Sequence, residues 1–360
     1  MDAPLTRKDA LVCGGLAVAG LTLAGRVPIA RAAGTADLYF PPRSAAWETV
    51  DAASAGWDAA ALESALDFAG ARRSTGVVVL VGGRILAERY WRGATSASAR
   101  DVASVQKSLV SFLVAALRAE ARIALDDPVS RWLGAGWTRA TPKNERAITV
   151  RHLLQMSSGL DDGFGRAAAP GTRWRYHNDA YHQLHPVLER ASRTGLQQLS
   201  DRLLFRPIGI TSGRWQPRLG RDPNGRRLQG LLLTPRDKAR FGLLALARGR
   251  WGGVRVVPDA YVRSALASSQ PMNPSYGLLW WLNGKASHQL PGPAPRPLAG
   301  PIIPSAPADM VAALGASDQK IYVVPSQSLV VVRQGFRASA PGELEFDDEW
   351  WRLLVRAAPR

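Results

Sequence analysis

Cysteine is nearly absent from this chain of 360 residues: Cys13 stands alone, which excludes a disulfide framework and a cysteine-based metal site. Lysine is almost as scarce. It occurs at positions 8, 107, 143, 238, 285 and 320 only, so forty of the 46 basic residues are arginine. Against 29 acidic residues the formal net charge is +17, yet no run of basic residues exceeds two and no aromatic–basic RNA motif appears. That pattern reads as arginine spread over a solvated surface, with no nucleic-acid partner expected. A composition of 46% hydrophobic and 21% charged residues is globular, and excludes a disordered, collagen-like or coiled-coil chain. Because lysine is rare, each lysine is a marked position.

Long apolar runs are also missing. The uncharged stretch Ala10–Gly25 has sixteen residues, short of the roughly 20 that a membrane-spanning helix needs. Arg7 and Lys8 precede it, Arg26 ends it, and Ala30-Arg31-Ala32 follows as a small-residue site. Together these describe an export signal over residues 1–32, cleaved after Ala32, leaving no stable membrane anchor and a periplasmic or secreted protein. Thr6-Arg7-Lys8 resembles a twin-arginine signal with lysine in place of the second arginine. The chain remaining after cleavage carries no cysteine, a composition suited to an oxidising compartment.

From residue 33 onward the spacing predicts one α+β domain. Leu62, Ala65, Leu66 and Ala69 recur at helical spacing behind the capping residue Asp58. Val77–Val81, Gly82-Gly83 and Arg84–Tyr90 read as a β-hairpin. The pattern is helical in Ser104–Leu117, Val150–Met156 and Tyr181–Ala191, and Thr234-Pro235-Arg236-Asp237 opens a further helix that Gly249 ends. Strands are expected at Gly277–Leu282, Asp309–Ala313, Ile321–Pro325 and Leu329–Arg333, then a helix from about Phe346 to Arg356. A strand set divided by a helical insertion implies a sheet body over about 33–100 and 265–360, with a helical subdomain over about 101–264.

Ser104 and Lys107 are three residues apart at the start of a predicted helix, hence on one face. Serine needs a base to become a nucleophile, and a neutral amine serves if burial brings lysine from about 10.4 towards 7, a change of about 4 kcal/mol. The neighbours Leu109, Val110, Phe112 and Leu113 supply an apolar setting. The alternative is an ordinary helix start with a snorkelling lysine. Ser317 and Lys320 repeat the spacing, but run into a predicted strand where residues three apart face opposite ways. Tyr176-His177-Asn178 adds a tyrosine able to relay protons when a cation lowers its pKa, and an amide able to hold a substrate carbonyl and the lysine.

With these pieces the chain resembles the serine β-lactamase and penicillin-binding-protein-like hydrolases. It is most similar to their class C-type branch, which includes esterases and 6-aminohexanoate-dimer hydrolases. The ordered blocks are Asp101–Ser108, Leu125–Val129, Leu153–Leu160, Tyr176–Asn178, Arg206–Ile210, Leu233–Asp237, Ser275–Trp281 and Gly315–Gln319. The resemblance implies a β-lactamase/transpeptidase-like fold, an antiparallel sheet flanked by helices, with no cofactor and no metal. It implies Ser104 as acylated nucleophile, Lys107 as activating amine, Tyr176 as base for acylation or deacylation, and Asn178 as partner of substrate and lysine. The oxyanion hole would be the backbone N–H groups of Ser104 and Ala316, beside Gly315. β-Lactamases of this group carry Lys-Thr-Gly in the third motif. Ala313-Leu314-Gly315-Ala316 has no lysine or histidine before its glycine, which favours a small-molecule amide or ester over a β-lactam. The alternatives are a β-lactamase or D-Ala-D-Ala-type peptidase, and a catalytically silent ligand-binding relative.

Around this core, His177 is a candidate substrate contact or a plain loop histidine. Asp318 is expected to point to water rather than to select a cationic substrate group. Asp126 and Asp127, before Pro128, read as turn residues. Trp280 and Trp281 alternate on a predicted strand, one inward and the other bordering the cleft, and Tyr276 is assigned to core packing.

Overall fold

The computed structural model describes residues 38–43, 46–292, 296–338 and 345–359. The expected export segment, residues 1–32, and its expected cleavage site lie outside these residues. The chain is α+β, built on a six-stranded antiparallel sheet. In spatial order its strands are Arg84–Tyr90, Ser74–Val81, Leu329–Gly335, Gln319–Val324, Val311–Gly315 and Trp281–Leu282. Val77 to Leu80 and Val330 to Val332 are fully buried, because this sheet is covered on both faces.

On one face lie the helices Ala59–Ala71 and Glu345–Ala357. Asp58 caps the first by accepting from the Ala61 N–H at 3.0 Å. Phe68 and Phe346 stack at 5.8 Å, and the Trp350 indole donates to Ala65 O at 3.0 Å. On the other face lies Pro235–Leu246, opened by Thr234, whose hydroxyl accepts from the Asp237 N–H at 3.2 Å. Gly242 permits its close approach to the sheet. A Cβ there would come within 2.5 Å of Val330 Cγ1 and 2.9 Å of Ile321 Cγ2. This helix belongs to the segment assigned to the helical part, yet it packs on the sheet.

Three further expectations are corrected. The subdomain expected over about 101–264 is not helical throughout: Arg214–Arg221 and Arg227–Leu233 form a hairpin that pairs with the short strand Arg100–Asp101. Its first strand is arginine-rich, interrupted by Pro217 and largely exposed, so no apolar alternation marks it. The strand expected at Gly277–Leu282 shrinks to Trp281–Leu282. Gly277 N–H bonds Trp280 O at 2.9 Å to close a turn, and Leu279 takes a φ of 63°. Asp318 does not point to water: it pairs with Lys320 at 3.2 Å and accepts from the Ala338 N–H at 2.7 Å.

Asp126 and Asp127 occupy a turn, where Asp126 pairs with Arg151 at 2.8 Å and Asp127 accepts from the Ala124 N–H at 2.8 Å. Among the described residues no helix is long and apolar enough to cross a membrane.

Candidate active site

The chain leaves the strand Arg100–Asp101, makes one tight turn through Ala103–Val105, and enters the buried helix Gln106–Ala119. The turn is strained: Ala103 has a φ of 50°, unusual for a residue with a Cβ. The Asp101 carboxylate holds it by accepting from the Ala103 N–H at 2.7 Å. Ser104 therefore sits at the head of a helix whose sequence is apolar enough to be enclosed on all sides, and it stays half-buried itself.

Lys107 follows one turn later and is 3% exposed. Its Nζ donates to Ser104 Oγ at 3.0 Å and to Asn178 Oδ1 at 3.0 Å. The amine also stands over the rings of Tyr181 and Tyr176, at 4.5 and 4.9 Å from their centroids. Among the described residues no carboxylate hydrogen-bonds it. Burial, assisted by the Arg218 charge and opposed by Asp179, lowers its pKa from 10.5 to about 7. A lysine in this state spends much of its time as a free amine at neutral pH, which is what a base beside a serine hydroxyl requires.

Burial pushes the Tyr176 phenol up rather than down, against a smaller lowering influence of the Ser104 side chain, so it stands as a neutral O–H group. Its ring is one wall of an aromatic cluster. It stacks on Trp281 at 5.9 Å and meets Tyr276 edge-on at 6.3 Å, with Trp174 behind them. Trp281 thus borders the site, while Trp280 packs inward against Phe112 and Phe241. Tyr276 is buried within this cluster. Asn178 begins the short helix Asn178–His182 and is exposed to solvent.

The opposite wall is the end of the strand Val311–Gly315. A Cβ on Gly315 would lie 3.2 Å from Ser104 N and 2.5 Å from Val102 O, so only glycine lets the strand abut the nucleophile turn. The next residues, Ala316–Asp318, form a tight turn with Ser317 and Asp318 at φ of 58° and 56°. Gln319 braces it, donating to Gly335 O at 2.7 Å and Ser317 O at 3.2 Å while accepting from Lys238 Nζ at 3.0 Å. Lys238 also donates to Gln334 Oε1 at 2.9 Å and has only amide partners, so burial holds its pKa well below the usual lysine range.

The structure therefore brings Ser104, Lys107, Tyr176, Asn178, Gly315 and Ala316 around one cleft. His177 is held apart. Its Nδ1 accepts from the Ala180 N–H at 3.2 Å, capping the Asn178 helix, and its Nε2 donates to Asp161 O at 2.8 Å. With both nitrogens used inside the protein, His177 positions its neighbours and offers no atom to a substrate. Ser317 is an exposed turn residue, and Lys320 is buried against Asp347 at 3.0 Å, so that pair does not repeat the Ser104–Lys107 arrangement.

Residues that sequence reasoning missed are Asp101 and Arg218, paired at 3.0 and 2.6 Å, and the Lys238–Gln319 brace. Lysine scarcity had marked position 238, but nothing local indicated what it touches.

The beta-lactamase family profile matches residues 59–351. Esterase EstB of Burkholderia gladioli is 31% identical over 207 residues, spanning 45% of this chain and 52% of that protein. An uncharacterized protein of Alkalihalophilus pseudofirmus is 23% identical over 292 residues, 71% of this chain and 82% of the other. Among solved structures, the putative 6-aminohexanoate-dimer hydrolase from Bacillus anthracis superposes with a TM-score of 0.66 at 17% identity, covering 90% of this chain and 91% of that one.

Proposed function

Because the chain belongs to the beta-lactamase family and is a serine hydrolase, we propose that it cleaves a small ester or amide through an acyl-enzyme on Ser104. The observation that carries this reading is the contact of a buried amine, poised near neutrality, with the Ser104 hydroxyl at 3.0 Å. Lys107 Nζ takes the Ser104 proton as Oγ adds to the substrate carbonyl carbon. The resulting oxyanion is met by the backbone N–H groups of Ser104 and Ala316; such donors contribute about 2.7–4 kcal/mol each to the transition state. Collapse breaks the bond to the leaving alcohol or amine, which receives a proton through the Lys107–Tyr176 pair. Water then adds to the acyl-enzyme, and the carboxylic acid leaves with Ser104 reprotonated.

Tyr176 enters this scheme as a proton donor and relay, in keeping with its raised pKa. Similarity to an esterase favours the ester as the first substrate class to test. Export through the N-terminal segment, as a periplasmic or secreted enzyme, is part of the same proposal and rests on Arg7, Lys8 and the apolar stretch that follows.

The test uses 4-nitrophenyl butyrate turnover together with intact-mass detection of a serine-directed covalent probe. The expected result is one adduct on Ser104 and loss of turnover in Ser104→Ala and Lys107→Ala. Turnover retained in Ser104→Ala overturns the proposal.

A further inference from the structure

A cavity of about 670 Å³ opens beside the site, between the end of the central sheet and the strand Arg100–Asp101. It shares with the site the Ala316–Asp318 turn, through Ser317, and the strand that leads to Ser104. Its volume lies within the range of small-molecule pockets. The proposed acylation chemistry makes no use of it.

Its charge is one-sided. Arg92 and Arg100 both line it, and neither has a carboxylate partner among the described residues. Arg100 is pre-positioned: its guanidinium lies 4.1 Å from the centroid of the Phe336 ring, a flat seat that orients the fork of N–H donors. A second cation, Arg73, approaches the same ring at 5.5 Å. The cavity's own carboxylate, Asp101, is already paired with Arg218 and accepts from the Ala103 N–H, while Arg92 spends one long donor contact on Gly70 O at 3.5 Å and keeps its other N–H groups. The field reaches inward: burial holds the Lys238 pKa well below the usual lysine range, with Arg100 and Arg333 adding to the effect and Asp101 opposing it. Gln216 and Ser317 add polar atoms to the lining, where the Gln319 amide is already committed to Lys238, Ser317 O and Gly335 O.

We propose that this cavity binds a carboxylate on the substrate through Arg92 and Arg100, making the enzyme selective for anionic esters or amides. The inference rests on the hydrolase reading above and deepens it by naming the substrate class. Guanidinium groups suit a carboxylate because they meet it with two parallel N–H donors. The anionic group can sit on either side of the scissile bond, and the test separates the two.

Two matched ester pairs are compared by kcat/KM. The first is 4-nitrophenyl hydrogen glutarate against 4-nitrophenyl pentanoate, with the carboxylate on the acyl side. The second is 4-carboxyphenyl butyrate against its methyl ester, with the carboxylate on the leaving group. One pair is expected to favour the anion at least tenfold, and Arg92→Gln/Arg100→Gln to reduce that ratio at least tenfold. Arg122→Gln, a change of exposed charge elsewhere, is expected to leave the ratio as it is. No anionic preference in either pair, or a preference untouched by the double variant, overturns the inference while leaving the hydrolase reading intact. A chain that hydrolyses no ester at all is decided by calorimetric titration of glutarate and 4-carboxyphenol into Ser104→Ala. Binding of either anion that the double variant weakens at least tenfold supports the cavity assignment, and absent or unchanged binding refutes it.

Discussion

Lys107→Met is expected to stabilise the protein while destroying its activity. The amine is enclosed, has no carboxylate hydrogen-bond partner among the described residues, and has its pKa lowered from 10.5 to about 7 by burial. Holding it in the fold therefore costs about 5 kcal/mol at any pH below 7, where both folded and unfolded chains carry the proton. Above 7 the folded chain sheds its proton first, so the penalty shrinks by about 1.4 kcal/mol per pH unit until it vanishes near 10.5. Methionine fills similar space without a charge to desolvate. It forfeits two hydrogen bonds, each worth about 1 kcal/mol, to partners that face the cleft and can be rehydrated. The net gain near pH 7 is about 2–3 kcal/mol, or roughly 3–4 °C in melting temperature for a domain of this size. Urea unfolding of both chains at pH 7, 8 and 9 measures it. Wild type should close the gap as pH rises, by about 2.7 kcal/mol over those two units. A gap that stays constant with pH, or a variant less stable than wild type at pH 7, refutes the account of Lys107 as a desolvated amine.

The same titration governs turnover. Since Lys107 must be neutral to accept the Ser104 proton, kcat/KM should fall about tenfold per pH unit below an apparent pKa near 7, and Tyr176, with its phenol pushed up, should add no alkaline limb below pH 10. A stopped or continuous ester assay from pH 5.5 to 9.5 checks both limbs. Away from the site, Gly242→Ala places a methyl against Val330 and Ile321 and should cost about 1–3 kcal/mol of stability, read by urea unfolding, with little change in KM.

What was legible in the sequence was what short range dictates. The serine and lysine at 104 and 107 share a helix face, so their meeting follows from helical pitch alone. Tyr176 and Asn178 acquired meaning only through the resemblance, and the structure brings Asn178 to the lysine across 71 residues of chain. Long-range partnerships were silent for the same reason. Asp101 and Arg218 are 117 residues apart, and Lys238 finds Gln319 and Gln334 only because its helix lies flat on the sheet. The hairpin of residues 214–233 escaped notice because its first strand buries too little to impose a period-two pattern. His177 stayed open between a substrate contact and a loop histidine because its neighbours are catalytic residue types; in the fold it caps the start of a helix and ties down a loop.

The burial of lysines 107, 238 and 320, at 3%, 0% and 3% exposure, has a practical side. Among the described residues it leaves Lys143 and Lys285 as the side-chain amines within reach of a bulky reagent. A surface rich in arginine is nearly blank to succinimide esters and aldehydes. Amine coupling to a bead or a dye should therefore mark this protein at a few defined places and spare the machinery of the cleft. Each product would then be close to homogeneous, an uncommon property for so basic a chain.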